Sequence, residues 1–461
     1  MAAAMTPSKL FGNRAFLYAL FATAIPSALQ HFAFSAQQVV DTVMVAHLGD
    51  ASIAALSFCG AAFFVITSIL YGLVMAAGAL ISQHWGAGDR LSVRKTLYLS
   101  TLMTQIVSVP AVVLFVIFPD WVMRMGPQSE EVRSAGVSYL QIAGWSLLMW
   151  PVIVGVGNAL NMTGRAALSM ALSLAFVTIA VLCNYIFVFG MGPVPATGVK
   201  GAALGTLVVN IMFFFIYIAL LKFHLAYLLL RRDELRLLLD LKKARQFVAQ
   251  SLPLALNGGL WSGGLFGYQV VFSQVGELGL AAFGLLLPII TVYLTLFNGL
   301  ATGSGAMIGQ ALGRRDYPLA WQYAVYSVNV AAAFGILTSI GLFLLRDQVN
   351  ILYPSISPEL SQEFLILFSV SMLLLWIRGI NIVVINGILR IGADNGYILK
   401  IDTISSWGVG IPLSILAAVV LGLPMVFVYF ASFTEEITKC MFSIYRMHRK
   451  IWCRTIFGDT P

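Results

Sequence analysis

The chain has 461 residues, enough for about three soluble domains, but its composition excludes them: 59% of the residues are hydrophobic and only 10% charged. Soluble chains carry roughly 45–50% apolar and 25% charged residues. With 27 Lys and Arg against 19 Asp and Glu, this chain cannot coat its own surface with charge, so lipid must solvate most of it.

The first apolar run covers 15–46. It is too long for a signal peptide and no cleavage site follows it, so it reads as a retained first span. Pro26 inside it predicts a bent helix, because a membrane helix can re-satisfy the carbonyl that proline leaves free. His31 reads as a polar lining residue rather than a ligand. Asp41, in QQVVDTVMV, falls in the outer half of the span and has no Lys or Arg within helical reach. A carboxylate at that depth is costly, by about 2.5–3.5 kcal/mol on insertion scales. Such a group can be neutral when buried and charged when water or a cation reaches it, which is what a coupling carboxylate needs. Gln37 shares its face at i,i+4 spacing.

Spans at 53–82, 95–118, 134–158, 167–190 and 200–223 complete a first set of six. Asn184, in the fifth, falls in the outer half, as Asp41 does. The loop 224–246, containing RRDELRLLLDLKKAR, is the longest and most basic, and reads as an inner-surface helix on anionic headgroups. Six more spans follow at 247–274, 281–311, 320–345, 362–388, 397–420 and 423–445. They hold Arg378, Asp402, Glu435, Glu436 and Lys439, all placed by depth in the cytoplasmic half. Mixed signs at one level suggest a compensating ion network, either a structural lock or a proton relay or substrate-orienting group. Lys439 can also snorkel to the interface.

The two sets repeat. At an offset of 227, Pro26 meets Pro253, Ser35 meets Ser262, Gly72 meets Gly299, Gly78 meets Gly305, and Gln83, Gly86 and Asp89 meet Gln310, Gly313 and Asp316. At 228, Asn158 meets Asn386. The offset spans an even number of helices, so the repeat is parallel, about an axis along the membrane normal. The expected fold is all-α integral membrane: twelve transmembrane helices in two pseudo-symmetric six-helix bundles, 1–223 and 247–461, joined by the basic linker 224–246. Such folds place a central cavity between halves that rock to alternate access.

With the N-terminus inside, 21 of the 27 Lys and Arg fall in inner segments and 4 outside. That asymmetry puts both termini in the cytoplasm and explains the net charge of +8 without a nucleic-acid partner. Cys59, Cys183, Cys440 and Cys453 form no visible disulfide framework, and no His or Cys set stands at metal-ligand spacing. No metal site or cofactor is expected. There is no GK[ST] phosphate loop, Gly-x-Ser-x-Gly elbow or HExxH, so energy must come from an ion gradient.

VDTVMVAHLGDASIAAL, SQHWGAGD, GVKGAALGT, NGILRIGADN and DTISSWGVGIP with EEITK, in this order, resemble the multidrug and toxic compound extrusion (MATE) family from about residue 20 to 450. The resemblance implies antiport of lipophilic, often cationic organic compounds against protons or sodium, by a protein of the plasma (inner) membrane. It assigns cation coupling to Asp41, with Asn184 keeping half of a fifth-span polar pair and Thr206 matching a sixth-span threonine near the same place. Ala180 stands where the family commonly has Asn, which weakens sodium ligation at Asp41 and favours protons. Second-bundle carboxylates of some members are missing, and Tyr268 holds the repeat position of Asp41. A monomer working with small organic substrates, H+ or Na+ and membrane lipid is expected, and no enzyme. Two other readings stand beside export: a lipid or glycolipid flippase, which would want more cationic side chains at depth than Arg378, and an integral-membrane transferase, whose only candidate acids are the mixed cytoplasmic group.

Overall fold

In lipid every backbone N–H and C=O must find its partner within the chain, so long apolar runs become helices. The computed structural model bears this out over the residues it describes, 11–46, 50–125, 129–191, 194–230, 241–349 and 357–455. In chain order the helices are α1 (Arg14–Ala46), α2 (Asp50–Gly86), α3 (Arg90–Val116), the short α4 (Pro119–Met123), α5 (Glu130–Ala143), α6 (Trp150–Met162), α7 (Ala166–Phe189) and α8 (Val199–Phe223). There follow α9 (Leu241–Ser273), α10 (Glu277–Gly313), α11 (Tyr317–Leu344), the short α12 (Arg346–Val349), α13 (Pro358–Ile382), α14 (Asn395–Thr403), α15 (Ile411–Ile415) and α16 (Met425–His448). Wider π-type turns at Val383–Leu389, Ile404–Gly410 and Leu416–Val420 continue α13, α14 and α15.

These segments occupy the twelve expected positions. Among the described residues, nine helices are long and apolar enough to cross a membrane, ten if α5 and α6 count as one bent span. The other two are α9, rich in Gly and Ser, and α16, with Glu435, Glu436 and Lys439 in its middle. The fourth span differs from an unbroken 134–158: it bends by 45° between Leu148 and Trp150. Pro151 is the cause, since it has no N–H to give and its ring crowds the preceding turn. α1 by contrast runs through Pro26 as one helix. The basic stretch 231–240, expected as a surface helix, lies outside the described residues.

The chain divides into two compact units, Gln30–Ala255 and Met1–Leu29 with Leu256–Pro461. Both divisions fall a few residues after Pro26 and Pro253, inside α1 and α9, so each unit contains half of a long helix from the other half of the sequence.

In the Gln30–Ala255 unit, Leu70, Val112, Phe115, Met123, Leu140 and Leu147 form a closed apolar core. Asp89 caps α3, accepting from the Ser92 N–H at 2.9 Å. Asn158 donates to the Val74 carbonyl at 2.9 Å and ties α6 to α2, where Gly78 leaves room for it. On α8, Gly201 and Gly205 lie four residues apart, against the Phe187 carbonyl and the Asn184 backbone of α7. Small residues at this spacing let two membrane helices touch backbone to backbone.

In the other unit, Leu286, Ile290, Phe297, Phe364, Phe368, Leu375 and Val383 are buried together. Asp316 caps α11 through the Leu319 N–H at 3.1 Å, the repeat of the Asp89 cap. Gly299 rests on the backbone of Ala24 and Ala28, so the first half of α1 packs on α10. At the end of α16, Arg446 grips Asp394 with two bonds of 2.6 and 3.0 Å.

Candidate cation site

The close approach of α8 to α7 holds Asn184 at 2% exposure. From there its Nδ2 donates to Asp41 Oδ1 at 2.9 Å. Gln37, one turn earlier on α1, donates to Asp41 Oδ2 at 3.4 Å. The half-buried carboxylate is thus held by two neutral amides. No Lys, Arg or His among the described residues lies within ion-pair distance of it. Asn184 Oδ1 is buried and accepts nothing. Three of the four expected residues therefore converge. Thr206 sits beside Gly205, but its recorded bond is its carbonyl accepting from Asn210 Nδ2 at 2.8 Å, and none joins it to Asp41. Ala180 is fully packed, at 1% exposure.

A second polar layer lies on the same faces of α1 and α7. Gln30 donates to Ser169 Oγ at 2.7 Å and to Ser173 Oγ at 3.2 Å, and accepts from Asn161 Nδ2 at 3.3 Å. The Phe34–Phe176 ring pair, with centroids 6.1 Å apart, comes between Gln30 and Asp41 along the helices. Gln30 eluded sequence reading because a neutral amide among apolar residues raises no charge signal. Its spacing of eleven residues from Asp41, three helical turns, was the available clue.

The five ionisable residues of the last three spans also come together. Lys439 Nζ lies 2.5 Å from Glu435 and 3.3 Å from Asp402, and Arg378 Nε lies 3.1 Å from Glu436. Neutral groups complete the cluster. Ser406 donates to Glu435 at 2.5 Å, the Tyr268 hydroxyl donates to Glu435, Asn257 donates to Asp402 at 2.6 Å, and Asn381 donates to Glu436 at 2.8 Å. Gly410 makes this possible, since a Cβ there would strike Tyr268 and Glu435. Tyr268 was visible in the sequence only as the repeat counterpart of Asp41. Among the described residues no group of three or more His, Cys, Asp or Glu side chains could hold a metal ion.

Two pseudo-repeated halves of membrane-crossing helices, each with a buried polar cluster, define a multi-pass membrane transporter. The sequence model of the MatE family matches residues 26–186 and again 253–416, the two matches starting 227 residues apart, the offset of the repeat. The chain belongs to the MatE family, the multidrug and toxic compound extrusion transporters. It is 24% identical over 427 residues to a probable multidrug resistance protein NorM of Synechocystis, covering 89% of each chain. It is 21% identical to an uncharacterized transporter, YisQ, of Bacillus subtilis, covering 94% of this chain and 95% of that one. Its fold matches an outward-facing multidrug resistance MATE transporter of the MOP superfamily with a TM-score of 0.86 at 18% identity, over 97% of this chain and 99% of that one. A MOP superfamily transporter from Pyrococcus furiosus, whose binding pocket is described as of reversed polarity, matches with a TM-score of 0.85 at 17% identity, over the same shares.

Proposed function

We propose that the protein exports lipophilic or cationic organic compounds by alternating access, in antiport with protons, and that Asp41 is the coupling carboxylate. The observation that carries this reading is a carboxylate on a membrane helix with two amide donors and no cationic partner. Such a group can gain and lose charge as a cation arrives and leaves. Both amides present N–H groups to it. Those steady the carboxylate between protonations, and Ala180, packed where the family commonly has Asn, offers no side-chain oxygen to sodium, so this reading favours a proton over Na+. Pro26 leaves one α1 carbonyl without its helical donor, a natural place for the helix to bend when Asp41 changes charge. The working setting is a plasma (inner) membrane with both termini cytoplasmic, with the protein as a monomer, as the charge asymmetry and the family suggest.

The test is transport of a fluorescent organic cation into proteoliposomes, with a pH gradient or a sodium gradient imposed separately. The wild type should respond to the pH gradient. Asp41→Asn should abolish transport and keep the wild-type elution profile and melting behaviour. Full extrusion by that variant removes the mechanism.

A further inference from the structure

The network of the Leu256–Pro461 segment has one carboxylate more than it has cations. Among the described residues, Asp402, Glu435 and Glu436 face only two cations, Lys439 and Arg378. The other groups around it are neutral: Asn257 and Tyr268 from α9, Asn381 from α13, Ser406 from the turn Ile404–Gly410, and Tyr429 and Cys440 from α16. An uncompensated charge away from water is expensive, so the surplus calls for a proton or a mobile cation.

The geometry shows where the surplus lies. Glu436 has Arg378 to itself and a second donor in Asn381. Glu435 and Asp402 share the single ammonium of Lys439, 2.5 Å from one and 3.3 Å from the other. That ammonium fills the place a metal ion would take and would repel one, whereas a proton needs no room. The excess negative charge therefore sits on the sharing pair, and one added proton there answers it. Of the sharing pair, the Asp402 side chain is the more open, at 15% exposure against 9% for Glu435. The π-type turn Ile404–Gly410, a feature often found at working sites, carries the Ser406 hydroxyl that can follow a change in charge on Glu435.

We infer that the Asp402–Glu435 pair, sharing Lys439, holds one exchangeable proton, giving this unit a proton-binding site separate from Asp41. The step is simple: a proton from water adds to a carboxylate oxygen of the pair, Lys439 settles on the other carboxylate, and the reverse releases it. No other bond forms or breaks.

Difference infrared spectroscopy tests this on the full-length protein in lipid, following the C=O stretch of protonated carboxylic acids through pH steps. The readout does not involve transport, so the inference stands or falls apart from the export reading. One band should persist in Asp41→Asn and vanish in Asp402→Asn. Glu435→Gln is the second variant, in case the first disturbs packing, and should lose the same band. Lys439→Gln removes the competing cation and should bring the band in at a proton concentration at least about tenfold lower, one unit of pH. A band unchanged in both Asp402→Asn and Glu435→Gln would overturn the inference. So would a network signal that follows sodium at constant pH.

Discussion

Asp41 and Asn184 stand 143 positions apart in the chain, and one N–H···O bond of 2.9 Å joins them. A hydrogen bond to a charged group contributes about 1.5–3 kcal/mol. Asn184→Ala removes it and should lower transport in proteoliposomes by at least about tenfold, with the fold retained. Transport at the wild-type rate would show that this bond is idle in the cycle.

Gly205 makes that bond possible from the other side. A methyl group there would meet the Asn184 amide and backbone. Overpacking of this kind costs about 1–3 kcal/mol, so Gly205→Ala should melt several degrees lower and transport poorly. Gly60 on α2 has nothing within 4 Å of an added Cβ. Gly60→Ala is the control, and should be neutral or raise stability by up to about 1 kcal/mol.

Asp89 gives a pH signature outside the spans. Partial burial works against its charge, but the Ser92 side chain and N–H, with His84 and Lys95 nearby, hold the carboxyl below the usual Asp range. A lowered native value means that the cap stabilises fully above the unfolded value of about 3.9. The contribution is then lost as pH falls through the native one. Melting curves in detergent should show this acid loss in the wild type and a shallower one in Asp89→Asn, which keeps a capping oxygen without the charge. Parallel curves for the two proteins would count against the assignment.

Gln30 serves three partners at once. Gln30→Leu keeps the volume and leaves Asn161 and Ser173 short of a partner, while Ser169 keeps its bond to the Gly157 carbonyl, so the variant should melt lower by about 1–3 kcal/mol for each buried polar group left unpaired. A melting temperature within error of wild type would mean that water replaces the amide at no cost.

The spans were legible because charge is nearly absent from them and present between them, and the repeat because Pro26, Gly72 and Asp89 return at a fixed distance. Some of those repeated residues do equivalent work in the structure, since Asp89 and Asp316 cap matching helices and Gly299 marks a backbone crossing. The ionisable residues announced themselves by their cost in lipid. Their partners did not. Gln30, Asn257, Asn381 and Ser406 are uncharged, and only three-dimensional neighbours reveal what they bond. The π-type turns were hidden for a related reason, since the wider turn comes from packing against neighbouring helices and has no sequence period of its own. The division of the molecule inside α1 and α9, rather than at the loop between bundles, depends on which helix faces touch, which apolar periodicity alone does not encode.

The charges in the middle of α16 also bear on how the protein is made. Each of Glu435, Glu436 and Lys439 opposes entry of that segment into lipid by a few kcal/mol if it inserts alone. Glu435 and Lys439 offset one another within α16, but Glu436 and the rest of the network depend on Arg378 of α13 and Asp402 of α14, which are synthesised first. Insertion of α16 is thus thermodynamically linked to the earlier arrival of α13 and α14 in the bilayer, because only their side chains complete the pairing of its charges.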